Sequence, residues 1–136
     1  MEREMTIEAT VSNLDPVLDF VNAHLEEAGC GPKQQIQLDI AVEEIFVNIA
    51  HYAYAPQTGV AKISVDIDKD KRRIAIEFRD SGMEFDPLAK PDPDTTLSAE
   101  ERQIGGLGKY MVKKSMDDIT YEYKDGKNIL SIKKEL

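Results

Sequence analysis

The apolar periodicity of residues 32–54 limits how this chain can fold more than any other feature of its sequence. Apolar residues recur there at spacings of three and four, which predicts one long helix with a single buried stripe. The stripe comprises Leu38, Val42, Ile45, Ile49 and Ala53. On a helical wheel of roughly 100° per residue, four polar residues fall within about 60° of one another, away from that stripe. They are Gln37, Glu44, Asn48 and His51. The helix is therefore expected to carry a narrow polar strip.

This polar strip allows two interpretations. A polar strip buried beside a core needs partners, and a hydrated cation with an anionic ligand would satisfy the Glu44 carboxylate and the Asn48 amide oxygen together. Charged residues on a helix face are also commonly just solvated. Taken alone, the strip does not distinguish a binding site from a solvent-facing surface.

The composition indicates one domain spanning residues 1–136. A chain of 136 residues with 41% apolar and 32% charged side chains can form one core but is short for two. The net charge of −9 disfavours nonspecific binding to nucleic acid or to an anionic membrane. No apolar run is long enough for a membrane span, and the start MEREMTIEAT lacks a signal-peptide pattern. A single cysteine, Cys30, excludes an internal disulfide and suits the cytoplasm.

The order of predicted elements indicates an α+β fold. MTIEATVS resembles an edge strand, and the helix after it has Asp15 as its expected N-cap and Pro16 at its first position. GVAKISVDID and RRIAIEFRD form a predicted hairpin, and DITYEYK and NILSIKKEL form a second one around DGK. The order β-α-α-β-β-loop-α-β-β predicts a two-layer α/β sandwich. Its sheet is expected to be mixed, mostly antiparallel, and covered on one face by about three helices.

Two further motifs follow the polar helix. In EFRDSGMEFDP, Asp80 ends a strand and Gly82 lies two residues later. A carboxylate there can accept a hydrogen bond from an exocyclic amine such as that of adenine, although Asp-Ser-Gly is also an ordinary turn. The glycines of GGLG precede a short helix, where backbone N–H groups can hold a phosphate, although a flexible hinge would use the same residues. Between these motifs, residues 81–104 form a long irregular stretch that is typical of a lid.

The ordered set of motifs is more specific than any one of them. Glu-x3-Asn on a helix, Asp-x-Gly after a strand, a long loop and Gly-Gly-x-Gly before a helix resemble the N, G1 and G2 boxes of the GHKL ATPases. The ATP-binding fold of that superfamily is called the Bergerat fold. The chain is most similar to its anti-sigma-factor serine/threonine kinase branch, and this resemblance extends from about residue 5 to residue 134.

The resemblance implies a role for each motif residue. Glu44 would be the general base, Asn48 would bind Mg²⁺, and Asp80 would recognise the adenine amine of ATP with Gly82 alongside. Residues 86–104 would form the ATP lid, with Arg102 reaching the terminal phosphate. The phosphates would be held by Gly105, Gly106, Leu107 and Gly108. Ser131, in the final strand, would support Asp80, as a threonine does in many relatives.

The chain departs from the pattern of the relatives in two places. Many relatives have histidine four residues after the motif asparagine, where this chain has Tyr52. His51, beside it, is expected to be an ordinary partly buried histidine without a catalytic role. Met83 and Glu84 stand where other branches often carry another glycine. This difference is expected to narrow the mouth of the pocket while leaving the adenine contact in place.

The sequence supports three hypotheses about function. The first is an ATP-dependent protein serine/threonine kinase that, by resemblance, phosphorylates an anti-sigma antagonist, sequesters a sigma factor and works as a homodimer. The second is an ATP-binding regulatory module that switches protein partners without transferring phosphate. The third is a structural domain in which the motifs are incidental, and the joint order of the motifs argues against it. A general base at residue 44 favours the kinase, because binding alone needs no base.

Overall fold

The computed structural model of this protein describes residues 2–54, 57–86 and 112–136. The elements begin with strand β1 (Glu2–Glu8), a 3₁₀ turn (Val11–Asn13), helix α1 (Leu14–Glu27) and helix α2 (Pro32–Asn48). A π-helical turn (Ile49–Ala53) continues α2, and strands β2 (Val60–Asp68) and β3 (Arg73–Asp80) follow. Residues 112–115 are helical, and strands β4 (Asp118–Lys124) and β5 (Lys127–Glu135) end the chain.

The five strands form one sheet in the order β1-β2-β3-β5-β4. All four pairings among the described strands are antiparallel, so the mixed character expected of the sheet is not observed there. Both predicted hairpins are present, and β1 lies at an edge as predicted. Strand β5 pairs with β3 across a long stretch of intervening sequence. This pairing places the last strand directly beside the strand that ends in Asp80.

The core lies between the helices and one face of the sheet, which confirms the two-layer α+β architecture. Buried residues alternate along β3 and β5, so each strand turns every second side chain toward the helices. All five residues of the predicted stripe on the long helix are buried, and Val17, Val21 and Leu25 of α1 pack against the same core. The apolar face of α1 is therefore part of the core.

Helix α1 begins two residues earlier than expected. Asn13, not Asp15, occupies the N-cap position, and Asp15 and Pro16 lie in the first turn. The Asn13 side chain donates a hydrogen bond to the Glu8 carbonyl oxygen at 2.9 Å, which ties the start of the helix to the end of β1. Pro16 is tolerated there because N–H groups in the first turn of a helix have no intrahelical partner.

The helix that carries the polar strip changes its geometry at its carboxyl end. Regular α-helix ends at Asn48, and residues 49–53 form the π-helical turn. A π-turn has i→i+5 hydrogen bonds, so an ideal α-helical wheel no longer gives side-chain directions beyond Asn48. His51 is accordingly exposed, and the prediction that it is partly buried is wrong. The part of the polar strip that follows regular α-helical geometry ends at Asn48.

Two neighbouring residues of α2 test the predicted stripe. Leu38 is fully buried and Ile36 is 60% exposed, although their side chains are alike in size and chemistry. We expect Leu38→Ala to lower the free energy of unfolding by about 2–5 kcal/mol, because it leaves a cavity in the core. The matched control Ile36→Ala should change it by less than about 0.5 kcal/mol. Urea unfolding measures both, and equal losses would contradict this orientation of α2.

Candidate functional site

Glu44 and Asn48 lie one turn apart on α2 and contact each other. The Asn48 side-chain Nδ2 donates to Glu44 Oε1 at 3.2 Å, and both residues are partly buried. Because Nδ2 faces Glu44, the Asn48 Oδ1 atom is directed to the other side of the amide. An amide oxygen in this orientation fits a hard cation such as Mg²⁺, which usually takes few protein ligands and keeps waters or phosphate oxygens for the rest.

Asp80 ends β3 with its carboxylate turned toward the helix layer. It is only 5% exposed, and its Oδ1 accepts two hydrogen bonds of 2.9 Å, from the Gly82 backbone N–H and from the Asn128 side chain. Within the described part of the chain, no hydrogen bond reaches Oδ2. Burial raises the pKa of the Asp80 carboxyl above its ordinary value, and the two hydrogen bonds oppose that rise. Two donors thus orient the carboxylate, and its second oxygen has no donor among the residues that the structure describes.

Asn128 is the residue that supports Asp80, and the sequence analysis missed it. It is 2% exposed and uses its whole hydrogen-bonding capacity. Its Nδ2 donates to Asp80 Oδ1 and to the Met83 carbonyl oxygen at 2.7 Å, while its Oδ1 accepts from the Phe85 N–H at 2.9 Å and from the Tyr121 hydroxyl. One side chain of β5 therefore joins β3, β4 and the turn that follows Asp80.

The supporting role expected for Ser131 does not match the strand register. Asn128 lies directly opposite Asp80, whereas Ser131 lies opposite Glu77. Side chains alternate between the two faces of a strand, so Ser131 and Asn128 project from opposite faces of β5. Ser131 is on the face away from the helices, and its side chain is directed away from the Asp80 carboxylate. The pairing of β3 with β5 is non-local, so hairpin signals in the sequence could not reveal this register.

Gly82 lies against the end of the helix that carries Asn48. A Cβ atom at this position would be 2.1 Å from the Ala53 carbonyl oxygen and 2.6 Å from its carbonyl carbon. The neighbouring Met83 N–H donates to the same Ala53 oxygen at 2.9 Å. The resemblance implied that Gly82 lies alongside the adenine contact. In the structure, the space beside its Cα is already filled by the helix end, so contact within the protein itself requires glycine.

Tyrosines from the helix end make two further contacts with the same turn. The Tyr54 hydroxyl accepts a hydrogen bond from the Ser81 N–H at 2.7 Å and donates one to the Val60 carbonyl oxygen at 2.6 Å. The Tyr52 ring lies 5.5 Å from the Phe85 ring, centroid to centroid, and the residue is 51% exposed. Tyr52, which stands where relatives have histidine, thus contributes an aromatic surface at this position. Tyr54 was not among the predicted site residues.

The remaining predicted site residues lie outside the described residues. They are Arg102, Gly105, Gly106, Leu107 and Gly108, together with all of the predicted lid except Asp86. Their assignment to the phosphates of ATP stays a prediction. The helical residues 112–115 that follow are described, and Lys134 of β5 donates from Nζ to the Ser115 carbonyl oxygen at 2.6 Å. This bond anchors the carboxyl end of that helical segment to the sheet.

One cleft among the described residues lies away from these motifs. It has a volume of about 520 Å³ and is lined by Arg3, the last turn of α1 and the far end of β2. Side chains of both signs line it, and Arg3 lies 3.7 Å from Glu27 within it, so no single ligand chemistry is indicated.

Within the described ranges, no three His, Cys, Asp or Glu side chains cluster as metal ligands. None of the helices described here has the length and apolar character needed to cross a bilayer.

Replacing Asp80 tests the energetic cost of its burial. Because the pKa of Asp80 is raised in the folded protein, the folded state favours the protonated form. Stability should therefore fall as pH rises from the ordinary value of 3.8 through the raised value, by about 1.4 kcal/mol for each unit of pKa difference. Asp80→Asn keeps an oxygen acceptor and lacks this titration. We expect the variant to be at least as stable as the wild type at pH 7.

The measurement is urea unfolding of both proteins from pH 3.5 to 7, expressed as the difference between them so that other titrating groups cancel. The unfolding free energy of the wild type minus that of Asp80→Asn should decrease as pH rises. An increase of this difference with pH would mean that the ionised carboxylate stabilises the fold, contrary to the burial argument.

Replacing Gly82 tests the close approach of the turn to the helix end. Gly82→Ala would place a methyl group against backbone that cannot move freely, and we expect a loss of about 1–3 kcal/mol in unfolding free energy. Gly126→Ala is the control, because Gly126 has a positive φ of 74° but no atom within 4 Å of an added Cβ. Its cost should be the backbone term alone, about 1–2 kcal/mol, with no effect on Asp80.

The two glycine variants are separated by amide hydrogen exchange at Met83. Exchange should accelerate in Gly82→Ala, because the bond to Ala53 is disturbed, and should stay at the wild-type rate in Gly126→Ala. Unchanged protection in Gly82→Ala would show that the turn accommodates a methyl group, against the geometry described above.

Comparisons with known proteins identify the family of this chain. The family model described as "Histidine kinase-like ATPase domain" matches residues 7–134. The chain is 26% identical over 95 residues to the serine/threonine-protein kinase BtrW of Bordetella bronchiseptica, an alignment that covers 70% of this chain and 66% of that relative. It is 31% identical over 100 residues to the serine-protein kinase RsbW of Bacillus cereus, covering 71% of this chain and 61% of that protein.

A further relative, the serine-protein kinase RsbW of Bacillus anthracis, is 30% identical over 100 residues with the same coverage. The chain thus matches slightly less than two thirds of the length of these curated relatives. The family match extends over nearly the whole chain and includes both the Glu44–Asn48 helix and the Asp80 turn. This protein belongs to the histidine kinase-like ATPase domain family, the GHKL superfamily that its motifs predicted.

Proposed function

We propose that this protein is an ATP-dependent protein serine/threonine kinase. One observation carries the proposal: a carboxylate, Glu44, contacts the amide of Asn48 on the helix whose carboxyl end holds the Asp80 turn. Binding of a nucleotide needs an acceptor for the base and a ligand for the metal. A carboxylate beside the metal ligand is an additional group, and phosphoryl transfer to a hydroxyl uses such a group as a base.

The base of ATP is expected to lie beside Asp80. Oδ1 already has two donors, so Oδ2 would accept a hydrogen bond from the exocyclic amine of adenine. The carboxylate is oriented by Asn128 and Gly82 before any ligand arrives, which lowers the entropic cost of recognition. In this proposal Asn128 is the supporting residue, in place of Ser131.

Transfer would take place at the other end of the nucleotide. Mg²⁺, held by the Asn48 amide oxygen, would offset negative charge on the phosphates. Glu44 would accept the proton of a substrate serine hydroxyl while the serine oxygen forms a bond to the γ-phosphorus. The bond between that phosphorus and the β,γ-bridging oxygen would break, and ADP would leave. Arg102 and residues 105–108 would contact the phosphates, as the resemblance implies.

The regulatory context is also a proposal. Relatives named serine-protein kinase RsbW support a protein substrate with a serine acceptor. By resemblance, the substrate would be an anti-sigma antagonist, and this chain would sequester a sigma factor, releasing or retaining it as the ATP/ADP ratio and the phosphorylation of the partner vary. We further propose that the protein works as a homodimer in the cytoplasm. Direct contact with nucleic acid or a membrane is not expected, because the net charge of −9 opposes both.

Single substitutions in α2 distinguish binding of Mg-ATP from transfer of phosphate. Asn48→Ala removes the metal ligand and should lower Mg-ATP affinity by at least about tenfold, with a smaller loss in the absence of Mg²⁺. Glu44→Gln should bind Mg-ATP within about twofold of the wild type but transfer phosphate about 10²–10⁴ times more slowly. Glu43→Gln is the matched control, because Glu43 is an exposed carboxylate one residue away.

The measurements are calorimetric titration with Mg-ATP and transfer of a radiolabelled γ-phosphate to serine-bearing candidate antagonists. If the wild type and Glu44→Gln bind alike but neither transfers, the protein is a nucleotide-sensing module and the kinase proposal is wrong. A complete lack of Mg-ATP binding by the wild type would reject both functions.

A further inference from the structure

The hydroxyl of Tyr54 lies at the point where the β2–β3 pairing stops. Ala61 pairs with Asp80, so Val60 and Ser81 would form the next pair of the ladder. Instead of bonding to each other, the Val60 carbonyl and the Ser81 N–H both bond to the Tyr54 hydroxyl, at 2.6 and 2.7 Å. The side chain of Tyr54, the residue directly after the π-helical turn, is thus inserted between the two strands, immediately after the residue expected to recognise adenine.

The Tyr54 ring is held in place by the backbone beneath it. A Cβ atom at Gly59 would lie 2.3–2.4 Å from three atoms of the ring, so only glycine allows the ring to lie where it does. The Tyr54 carbonyl oxygen also accepts the Gln57 N–H at 2.7 Å. Burial raises the pKa of the phenol, which keeps it protonated and able to donate to Val60. The hydroxyl is therefore a fixed group with a defined donor and acceptor direction.

Three consecutive backbone N–H groups after β3 each have one assigned acceptor. Ser81 bonds to the Tyr54 hydroxyl, Gly82 to Asp80 Oδ1, and Met83 to the Ala53 carbonyl oxygen. The first of these bonds directs the chain away from β2 and toward the helix end. Without it, Ser81 could pair with Val60, β3 would continue by one residue, and the Gly82 N–H would no longer be directed at the Asp80 carboxylate.

We propose that Tyr54 is a positioning residue for base recognition, acting on Asp80 through the Ser81–Gly82 backbone without contacting the nucleotide. The inference rests on the proposed nucleotide-binding function. We expect Tyr54 to affect one part of that function, the preference for a base with the exocyclic amine of adenine over a base with another substituent in place of that amine. Phosphate and metal binding, which use Asn48 and the glycine-rich segment, do not depend on it.

The experiment compares binding of ATP and inosine triphosphate, in which a carbonyl replaces the exocyclic amine. A carboxylate acceptor should prefer ATP, because the carbonyl cannot donate a hydrogen bond to it. In Tyr54→Phe, the ring over Gly59 stays and only the hydroxyl is lost. We expect its ATP affinity to fall about tenfold, while inosine triphosphate affinity stays within about twofold of wild type. General destabilisation of the domain would weaken both ligands alike.

Two further variants make the test specific. Tyr123→Phe is the matched control: this tyrosine is 41% exposed on β4, and no described residue is hydrogen-bonded to its hydroxyl. It should leave both affinities unchanged. Gly59→Ala keeps the hydroxyl but displaces the ring, so it should reproduce the selective loss of ATP affinity. This second route keeps the inference testable if Tyr54→Phe folds poorly.

The outcomes separate the inference from the function on which it rests. A wild type that prefers ATP, with Tyr54→Phe and Gly59→Ala keeping that preference, would overturn the role of Tyr54 and leave the nucleotide site intact. Equal losses for both nucleotides would also overturn it, because they indicate a structural effect alone. A wild type that binds neither nucleotide would reject the proposed function itself, and the inference with it.

Discussion

The close contact between the carboxyl end of the motif helix and the turn after β3 is the constraint on which the rest of the site depends. Ala53 accepts the Met83 N–H and leaves no room for a side chain at Gly82. Contacts of this kind are short-range and backbone-mediated, so they tolerate little displacement. They join the element that carries Glu44 and Asn48 to the one that carries Asp80, and so fix the relative positions of the two halves of the proposed site.

The π-helical turn is what makes this contact possible. It follows Asn48 directly, and it presents the Ala53 carbonyl to the turn instead of to the next residues of a regular helix. π-turns are found frequently at functional sites, where they change the direction of the groups at a helix end. Here the change also exposes His51 and brings the ring of Tyr52 against Phe85.

Burial of the Asp80 carboxylate, at the centre of the proposed site, lowers the stability of the fold. Asp80 is buried, its pKa is raised, and its two donors compensate only part of the lost hydration. The hydrogen bond from Asn128 reduces this loss of stability, and the other three hydrogen bonds of the Asn128 side chain are also formed. A fully satisfied buried amide is rigid, and this rigidity keeps one carboxylate oxygen oriented before a ligand binds.

The sequence by itself determined what local patterns encode: the buried stripe of α2, both hairpins, the two-layer architecture, and the order of motifs that identified the superfamily. The tertiary structure alone decided which residue supports Asp80, because the pairing of β3 with β5 joins segments far apart in the chain and selects Asn128 over Ser131. It also decided the π-turn and the position of Tyr54. Tyr54 contacts the ends of β2 and β3, and Ala53 of the π-turn contacts the turn after β3. No periodicity or spacing within one segment records such contacts.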